Sequence, residues 1–401
     1  MSLELIMIEY ETIVVGGGPI GGYVAGGLAK ENQKVAIFEK NTEIGNPLSC
    51  AGLVTSRVFD FLDDSTKTSI QNNIKGANIH SPSDNILTIG GNKNHALVID
   101  RRVFDKKIVE KAGKNGAEIF LGNNVLSAYK KNKHIEIKTS KNIDAKTSLL
   151  IGADGPFSKI RDRFLNYKPK EYLRAMGADL SNVNIDPNYV EIFVGKKVAP
   201  GFFAWVIPTD KKGTKARIGL CINQNSERPP KYYFVRLMKN KHTQKFLKDA
   251  KIEEYIGGII PLGFLNKTYS SNIMVVGDAA AQVKPTSGGG IYTGLLCAKH
   301  CVSTAIDCVK KNDFSQKNLK KYHKKWTKDI GKELNRGMKF RSVYKNLKYS
   351  QIDKYIKKFN NPKLIEVINK NGDIDYPSRL LKPLLKKMPF LIKFIPDMIK
   401  E

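Results

Sequence analysis

Thr12-Ile13-Val14-Val15-Gly16-Gly17-Gly18-Pro19-Ile20-Gly21 is the stretch from which the fold can be read. Its apolar start reads as a buried strand and its glycines as a tight turn. The small residues of Tyr23–Lys30 read as a helix, and Lys34–Phe38 as a second strand. Glu39 closes that second strand, 18 positions after Gly21. Each part has a task in binding a dinucleotide. Gly16 makes the tight turn, Gly18 lets backbone approach a pyrophosphate, and Gly21 packs helix on strand. Pro19 belongs to the same turn, the helix N-terminus faces the phosphates, and Glu39 can accept a ribose hydroxyl. An acid at position 39 disfavours a 2′-phosphate, and therefore NADP, at this site.

A second signal lies far downstream. Ile273-Met274-Val275-Val276-Gly277-Asp278-Ala279-Ala280 reads as a buried strand ending in a carboxylate, and Pro285-Thr286-Ser287-Gly288-Gly289-Gly290 leads into a helix at Ile291. NAD needs one βαβ unit and a partner half-domain, whereas FAD carries a ribitol and an isoalloxazine that must be held beyond the pyrophosphate. Asp278 is placed for ribitol or phosphate-side hydroxyls. Gly288, Gly289 and Gly290 let backbone amides and the N-terminus of the next helix, at Ile291, approach the pyrimidine edge, where negative charge gathers on reduction. FAD is the expected cofactor.

Between these signals the chain changes character. Asp60–His95 is polar and reads as irregular; Val98-Ile99-Asp100-Arg101-Arg102 leads into a helix over Val103–Lys114. Short β-like runs follow at 117–121, 125–129, 134–138 and 148–151, the last opening into Gly152-Ala153-Asp154-Gly155-Pro156-Phe157-Ser158-Lys159-Ile160-Arg161 and a basic helix. From Asn166 to about Ser270 strands alternate with Pro/Gly turns, as in a separate antiparallel domain. Helical character with Lys-rich faces runs from Ile291 onward. The expected fold is α/β: a doubly wound Rossmann-like FAD-binding domain over 9–165 and 271–310, with 76–97 a possible contributor to an inserted antiparallel β-rich substrate domain over 166–270, and a basic helical C-terminal region over 311–401.

Length and composition exclude several classes. At 401 residues with 41% hydrophobic content, the chain is long enough for two or three domains with ample core. The longest nearly apolar stretch, Ile256–Leu265, has ten residues and contains a proline, so no transmembrane helix is expected. No signal peptide is expected either. Five cysteines without paired CxxC spacing argue for a reducing compartment and against structural zinc, and no metal site is expected among the six histidines. Cys297, Cys301 and Cys308 fall on one helical stripe and read as core packing.

Charge is the anomaly. The chain carries 67 Lys and Arg against 38 Asp and Glu, a net +29, and from Lys310 to Glu401 there are 25 basic and 9 acidic residues. An anionic membrane surface, a nucleic acid and a solvated Lys-rich face all fit that excess. In Arg379–Glu401, Leu381, Leu384, Leu385, Met388, Phe390, Leu391, Phe394, Ile395, Met398 and Ile399 interleave with Lys382, Lys386, Lys387, Lys393 and Lys400. Pro383, Pro389 and Pro396 break the segment into short turns, which suit either an interfacial anchor or a subdomain packed on its own protein.

The motifs, in this order and spacing, resemble the para-hydroxybenzoate-hydroxylase-like flavoproteins: Gly16–Gly21, Asp100-Arg101, Gly152–Arg161 and Gly277–Gly290. Pro200-Gly201-Phe202-Phe203-Ala204-Trp205-Val206-Ile207-Pro208 resembles the PxxYxWxFP motif of geranylgeranyl reductases, with Phe203 for Tyr and Ile207 for Phe. Gly45-Asn46-Pro47-Leu48-Ser49-Cys50-Ala51-Gly52 and Gly372-Asp373-Ile374-Asp375-Tyr376-Pro377 are similar to segments of the archaeal members of that family. The resemblance spans nearly the whole chain. It implies FAD contacts at Cys50, Ala51, Arg101 and Val125 beside those already named, and substrate contacts at Phe203, Trp205, Ile207 and Pro208. It places Cys50 near the flavin, as a candidate catalytic thiol or a small buried one. Phe203 lacks a hydroxyl, so no proton-donor role is assigned there. On the residues alone, the aromatic strand fits either the wall of a prenyl channel or the core of the antiparallel domain.

The resemblance implies a reductase that hydrogenates the C=C bonds of geranylgeranyl chains on glycerophospholipid ethers, cytoplasmic and peripheral on the inner face of the membrane. An external electron donor is implied, with NADPH, a deazaflavin and a ferredoxin all open. A flavin monooxygenase or halogenase of the same fold is the rival reading, since Phe203–Pro208 is one residue away from WxWxIP. A tRNA-modifying flavoprotein would use the charge on RNA; nucleic acid is not the expected partner.

Overall fold

The computed structural model describes residues 7–387. Strand Ile8–Val15 lies at the centre of a sheet whose order is Tyr269–Ser270, Ile273–Val275, Ala145–Gly152, Ile8–Val15, Val35–Phe38, Glu118–Phe120. Its central pairings are parallel, as crossovers through helices require. Both faces of the central strands are apolar because both are covered. Val14, Ile37, Ile151 and Met274 face helices Pro19–Ala29 and Ile291–Lys310, whereas Ile13, Val15, Phe38 and Leu150 face the hairpin Val125–Lys131/His134–Thr139 and the short helix Lys159–Phe164. Cys297, Cys301 and Cys308 are buried in the first of these layers.

The first helix begins at Pro19, four residues before the expected Tyr23, because proline is suited to the first helical turn and glycine precedes it as cap. The helix read from Val103 likewise begins at Arg101; the Asp100 side chain caps it by accepting from the Arg102 and Val103 amides at 2.8 and 3.4 Å.

A second sheet has the order Lys251–Leu262, Glu171–Ser181, Lys215–Asn223, Phe203–Pro208, Tyr189–Val194, Gly76–His80, Ile86–Gly90. It is antiparallel except where Tyr189–Val194 meets Gly76–His80. The reading of Asp60–His95 as irregular is therefore corrected. The segment holds strands Ile70–Ile74, Gly76–His80 and Ile86–Gly90, and the first joins Leu53–Val54 and Ala96–Ile99 in a small third sheet. Its polar residues hid the pattern: Asn72 is buried, but its amide donates to the Pro187 and Pro208 carbonyls at 2.8 and 3.1 Å, so the strand tolerates a polar core residue.

The basic C-terminal helices are not a separate layer. Helix Gln316–Trp326 buries Leu319, Tyr322 and Trp326 in the core of the first sheet while its lysines face outward; Tyr322 Oη donates to the Val275 carbonyl at 2.9 Å. Helix Lys332–Tyr344 reaches the second sheet through Arg341. That buried guanidinium donates to Glu171, to the Gly201 carbonyl at 2.7 Å and to Asn223 Oδ1 at 2.6 Å. Ile352 and Ile356 of Tyr349–Phe359 pack on Leu87. The amphipathic tail is described only as far as Lys387. There Leu381, Leu384 and Leu385 are half-buried and Lys382, Lys386 and Lys387 exposed. Met388, Phe390, Leu391, Lys393, Phe394, Ile395, Met398, Ile399 and Lys400, with Pro389 and Pro396, lie outside the described residues.

Candidate functional site

The glycine turn after the first strand is fixed by close backbone approach. Gly16 has φ +106°, and a Cβ there would stand 2.3 Å from the Ala153 carbonyl oxygen; one on Gly21 would stand 1.9 Å from the Gly16 oxygen. Gly18 differs. A Cβ on it would meet nothing within 4 Å, so the protein leaves open space at the helix N-terminus, where free amides point outward. Glu39 is buried, and its two oxygens accept from the Gly17 amide at 2.6 Å and the Asn41 amide at 2.8 Å. Each oxygen keeps a second lone pair, so the carboxylate retains acceptor capacity. The Gly122 and Asn123 amides donate to the Asn41 and Glu39 carbonyls, both at 2.8 Å, which brings the start of strand Val125–Lys131 beside the same turn. The Val125 side chain itself is in the core.

The second glycine segment faces the same cleft. Gly277, with φ +67°, begins a turn that presents Asp278. Among the described residues no hydrogen bond engages the Asp278 carboxylate. Burial pushes its pKa up to about 6, against the opposing pull of Arg101. Arg101 forms a two-point pair with Asp105, at 2.8 and 2.7 Å. Burial works against its charge, but Asp105 and the Cys50 sulfur outweigh that and raise its pKa. A Cβ on Gly290 would lie 3.0 Å from Asp278 Oδ1, so glycine lets the carboxylate sit beside the N-terminus of helix Ile291–Lys310.

The second sheet supplies the opposite wall. In the antiparallel register Trp205 lies across from Gly219 and Ile207 across from Arg217, so Phe203, Trp205 and Ile207 share a face with Ala175, Gly177, Cys221 and Gly258. Ala204 and Val206 point the other way into the domain core. Trp205 packs against Gly219, where a Cβ would be 2.6 Å from the indole ring, and its buried Nε1 has no hydrogen-bond partner among the described residues. Phe202 stacks on Phe203 at 4.4 Å, and a Cβ on Gly288 would stand 3.1 Å from Ile260 and 3.5 Å from Phe202. The aromatic strand thus meets the second glycine segment directly. Phe203 and Trp205 are half-buried at this junction; Ile207 and Pro208 are not similarly placed. Ile207 packs into a core with Ile74, Val98 and Val190, and Pro208 is buried with its carbonyl on Asn72.

Cys50 sits between the two walls. Its loop presses on the sheet: the Ser49 carbonyl oxygen would be 2.9 Å from a Cβ on Gly258, and Arg217 Nη1 donates to the Ala51 carbonyl at 3.0 Å. Alone among the five cysteines, Cys50 is not buried. The Cys221 thiol nearby is pushed up by burial.

Sequence reasoning missed a cluster behind Gly288–Gly290. Lys284 Nζ donates to Asp375 Oδ1 at 2.7 Å, and the other oxygen of Asp375 accepts from Thr55 Oγ1 at 2.5 Å and Arg57 Nη1 at 3.2 Å. Arg57 also pairs with Asp373 at 2.7 Å, and the Tyr292 and Tyr376 hydroxyls are 3.0 Å apart. The Gly372–Pro377 segment is legible as a motif, but its partners lie some 90 and 320 positions away and leave no local trace.

Residues 172–260 match a family model described as the geranylgeranyl reductase catalytic domain. The chain is 31% identical over 390 residues to an uncharacterized protein of Methanocaldococcus jannaschii, covering 96% of this chain and 97% of that protein. It is 29% identical to a digeranylgeranylglycerophospholipid reductase of the same organism, covering 97% of this chain and 98% of that one. Among solved structures it is similar to a geranylgeranyl bacteriochlorophyll reductase-like protein from Thermoplasma acidophilum. The TM-score is 0.83 at 24% identity, over 98% of this chain and all of that one.

Proposed function

Since the chain belongs to the geranylgeranyl reductase family of FAD-dependent oxidoreductases, we propose that it hydrogenates the C=C bonds of the geranylgeranyl chains of a membrane ether glycerophospholipid. The observation that carries this reading is the junction of two unlike walls. A cleft built of open glycine backbone, two helix N-termini and an unengaged carboxylate faces an aromatic strand where Phe203 and Trp205 are only half-buried.

The residues of the cleft fit FAD. The open space at Gly18, beside Pro19 and the amides of its helix, receives the pyrophosphate without steric conflict. Glu39 accepts a ribose hydroxyl on its remaining lone pairs, with the backbone before Val125 alongside. Asp278, without a donor among the described residues, would accept ribityl hydroxyls. The amides of Gly289, Gly290 and Ile291 would border the pyrimidine edge of the bound ring, and Ala51 and Arg101 would be further contacts of the cofactor. Reduced FAD, when bound, supplies hydride to one alkene carbon, and the other carbon takes a proton.

The chain's own residues then have three tasks. Phe203 and Trp205 hold the prenyl chain against the cleft, the glycine and alanine floor of the sheet gives it room, and the apolar lining keeps water away. Ile207 and Pro208 support that wall from the core. Cys50 Sγ, which accepts from the Gly52 amide at 3.4 Å and lies near enough to Arg101 to raise its pKa, is the candidate to hand over the proton. An external donor restores the reduced state. A two-chain lipid must be reached at a bilayer surface, and no described helix is long and apolar enough to cross a membrane, so we place the protein peripherally on the inner face.

The direct test is anaerobic mixing of dithionite-reduced protein with a digeranylgeranyl ether phospholipid, followed by mass spectrometry. Stepwise gain of two hydrogens per double bond supports the reading. Oxygen-dependent turnover of an aromatic compound, with the lipid unchanged, would replace it by a monooxygenase or halogenase.

A further inference from the structure

Beneath the Gly288–Gly290 turn lies an ammonium group. Lys284 is buried, its amide donates to the Gly289 carbonyl at 3.1 Å, and its own carbonyl accepts from the Gly288 amide at 2.8 Å. Its side chain runs under the turn: a Cβ on Gly289 would stand 3.0 Å from Lys284 Cε and 3.4 Å from Nζ. The charge is answered by Asp375, which is fully buried, at 2.7 Å; Nζ also donates to the Ile374 carbonyl at 3.2 Å.

As a fastener this pair is a poor choice. Replacing a buried ion pair by apolar residues is often neutral or stabilising. The segment is in any case held by Arg57 on Asp373, by Ser378 on the Glu333 carboxylate at 2.9 Å, and by Tyr376 against Tyr292. What a buried cation does that these contacts do not is to set the electrostatic potential at the backbone above it. At an effective dielectric of about 20, unit charges roughly 8 Å apart shift an equilibrium by more than tenfold.

We propose that Lys284 and Asp375 are an opposed pair that tunes the reduction equilibrium of the bound flavin. This rests on the placing of FAD proposed above, with its pyrimidine edge toward the Gly289–Ile291 amides. Two electrons and one proton entering the neutral ring leave one negative charge there. Lys284 favours that charge from below, and Asp375, one hydrogen bond farther back, limits the effect. Arg57, on the far side of Asp375, takes up part of the carboxylate's charge and so strengthens Lys284. None of these side chains touches the substrate; all act through the turn.

The test is the midpoint potential of the FAD-loaded protein, equilibrated anaerobically with a redox dye of known potential and read from flavin absorbance. Lys284→Gln is expected to disfavour reduction about tenfold, roughly 30 mV to the negative for two electrons. Asp375→Asn is expected to favour it about tenfold, roughly 30 mV to the positive, and the double variant to return near the parent. Shifts of the same sign, or single variants within threefold of the parent, overturn the proposal. Should Lys284→Gln not fold, Arg57→Gln carries the test on a half-exposed side chain. It must move in the sense expected for Lys284→Gln, and no shift overturns the proposal. A parent that binds no FAD removes the cofactor reading itself, whereas a parent that binds FAD with unmoved potentials in the variants removes only the tuning pair.

Discussion

Two glycines of one turn separate the demands of the fold from those of its ligand. Gly21 has a backbone oxygen at 1.9 Å from where a Cβ would sit, so Gly21→Ala is expected to destabilise the protein by about 1–3 kcal/mol or more in urea unfolding, with or without FAD. Gly18 has open space, so Gly18→Val is expected to leave unfolding unchanged and to abolish FAD retention, read by flavin absorbance after gel filtration. Equal damage by both would mean that the turn serves the fold alone. Asp278 gives a pH signature. Its carboxyl titrates near 6 in the folded protein and near 3.9 when unfolded, so between those values the folded state binds the extra proton. The contribution is therefore fully present below about pH 4 and lost as pH rises through 6, and the ligand-free protein becomes less stable across that window. FAD affinity should run the opposite way. Ribityl hydroxyls prefer the ionised acceptor, so affinity rises toward pH 7 by at most about tenfold per unit, and Asp278→Asn is expected to flatten both profiles.

At the scale of elements, the parts legible in the sequence are those whose partners are local. The strand, turn and helix of residues 8–29 follow from one another within a few residues, as does the glycine segment before Ile291, and the alternation of Phe203, Trp205 and Ile207 onto one face follows from strand periodicity alone. That alternation could not say which of the three stay near the cleft. Ile207 is drawn into the core by Val98 and Val190, which belong to strands that both lie earlier in the chain, more than 15 residues away. Strands Ile70–Ile74 and Gly76–His80 escaped for a related reason, since Asn72 and the glycines carry no hydrophobic alternation until the partners at Pro187, Pro208 and Tyr189 are known. The half-buried Trp205 is expected to be separable from the cofactor: Trp205→Ala should retain FAD and lose most lipid turnover, measured by the mass-spectrometric assay. Helix Lys332–Tyr344 depends instead on Arg341, which is 2% exposed and bonded to Glu171, Gly201 and Asn223. Arg341→Leu strands those acceptors, and a loss of about 3–5 kcal/mol in urea unfolding is expected.

For the whole molecule, the charge excess divides into two parts. Much of it coats helices whose other faces are core, as in Gln316–Trp326, and needs no partner. The remainder includes the lysines from Lys382 onward, of which Lys382, Lys386 and Lys387 are exposed, each worth about 1 kcal/mol near an anionic surface. Flotation with anionic vesicles is expected to fall as salt rises, and to fall further for a chain ending at Lys387, which keeps every contact described here. Equal flotation of both forms would move the docking surface onto the helices. The strap from Asp373 to Tyr376 has a consequence for biosynthesis. Lys284, Thr55 and Arg57 are translated long before the carboxylates that answer them, so the nascent chain carries an unmatched ammonium behind its cleft until residue 375 has been made. A message cut short before codon 375 yields a protein lacking that counter-charge, a loss of about 3–5 kcal/mol against a total stability of about 5–15. Such a product is exposed to the proteases of the cell, so the cleft is completed only in chains translated past codon 375.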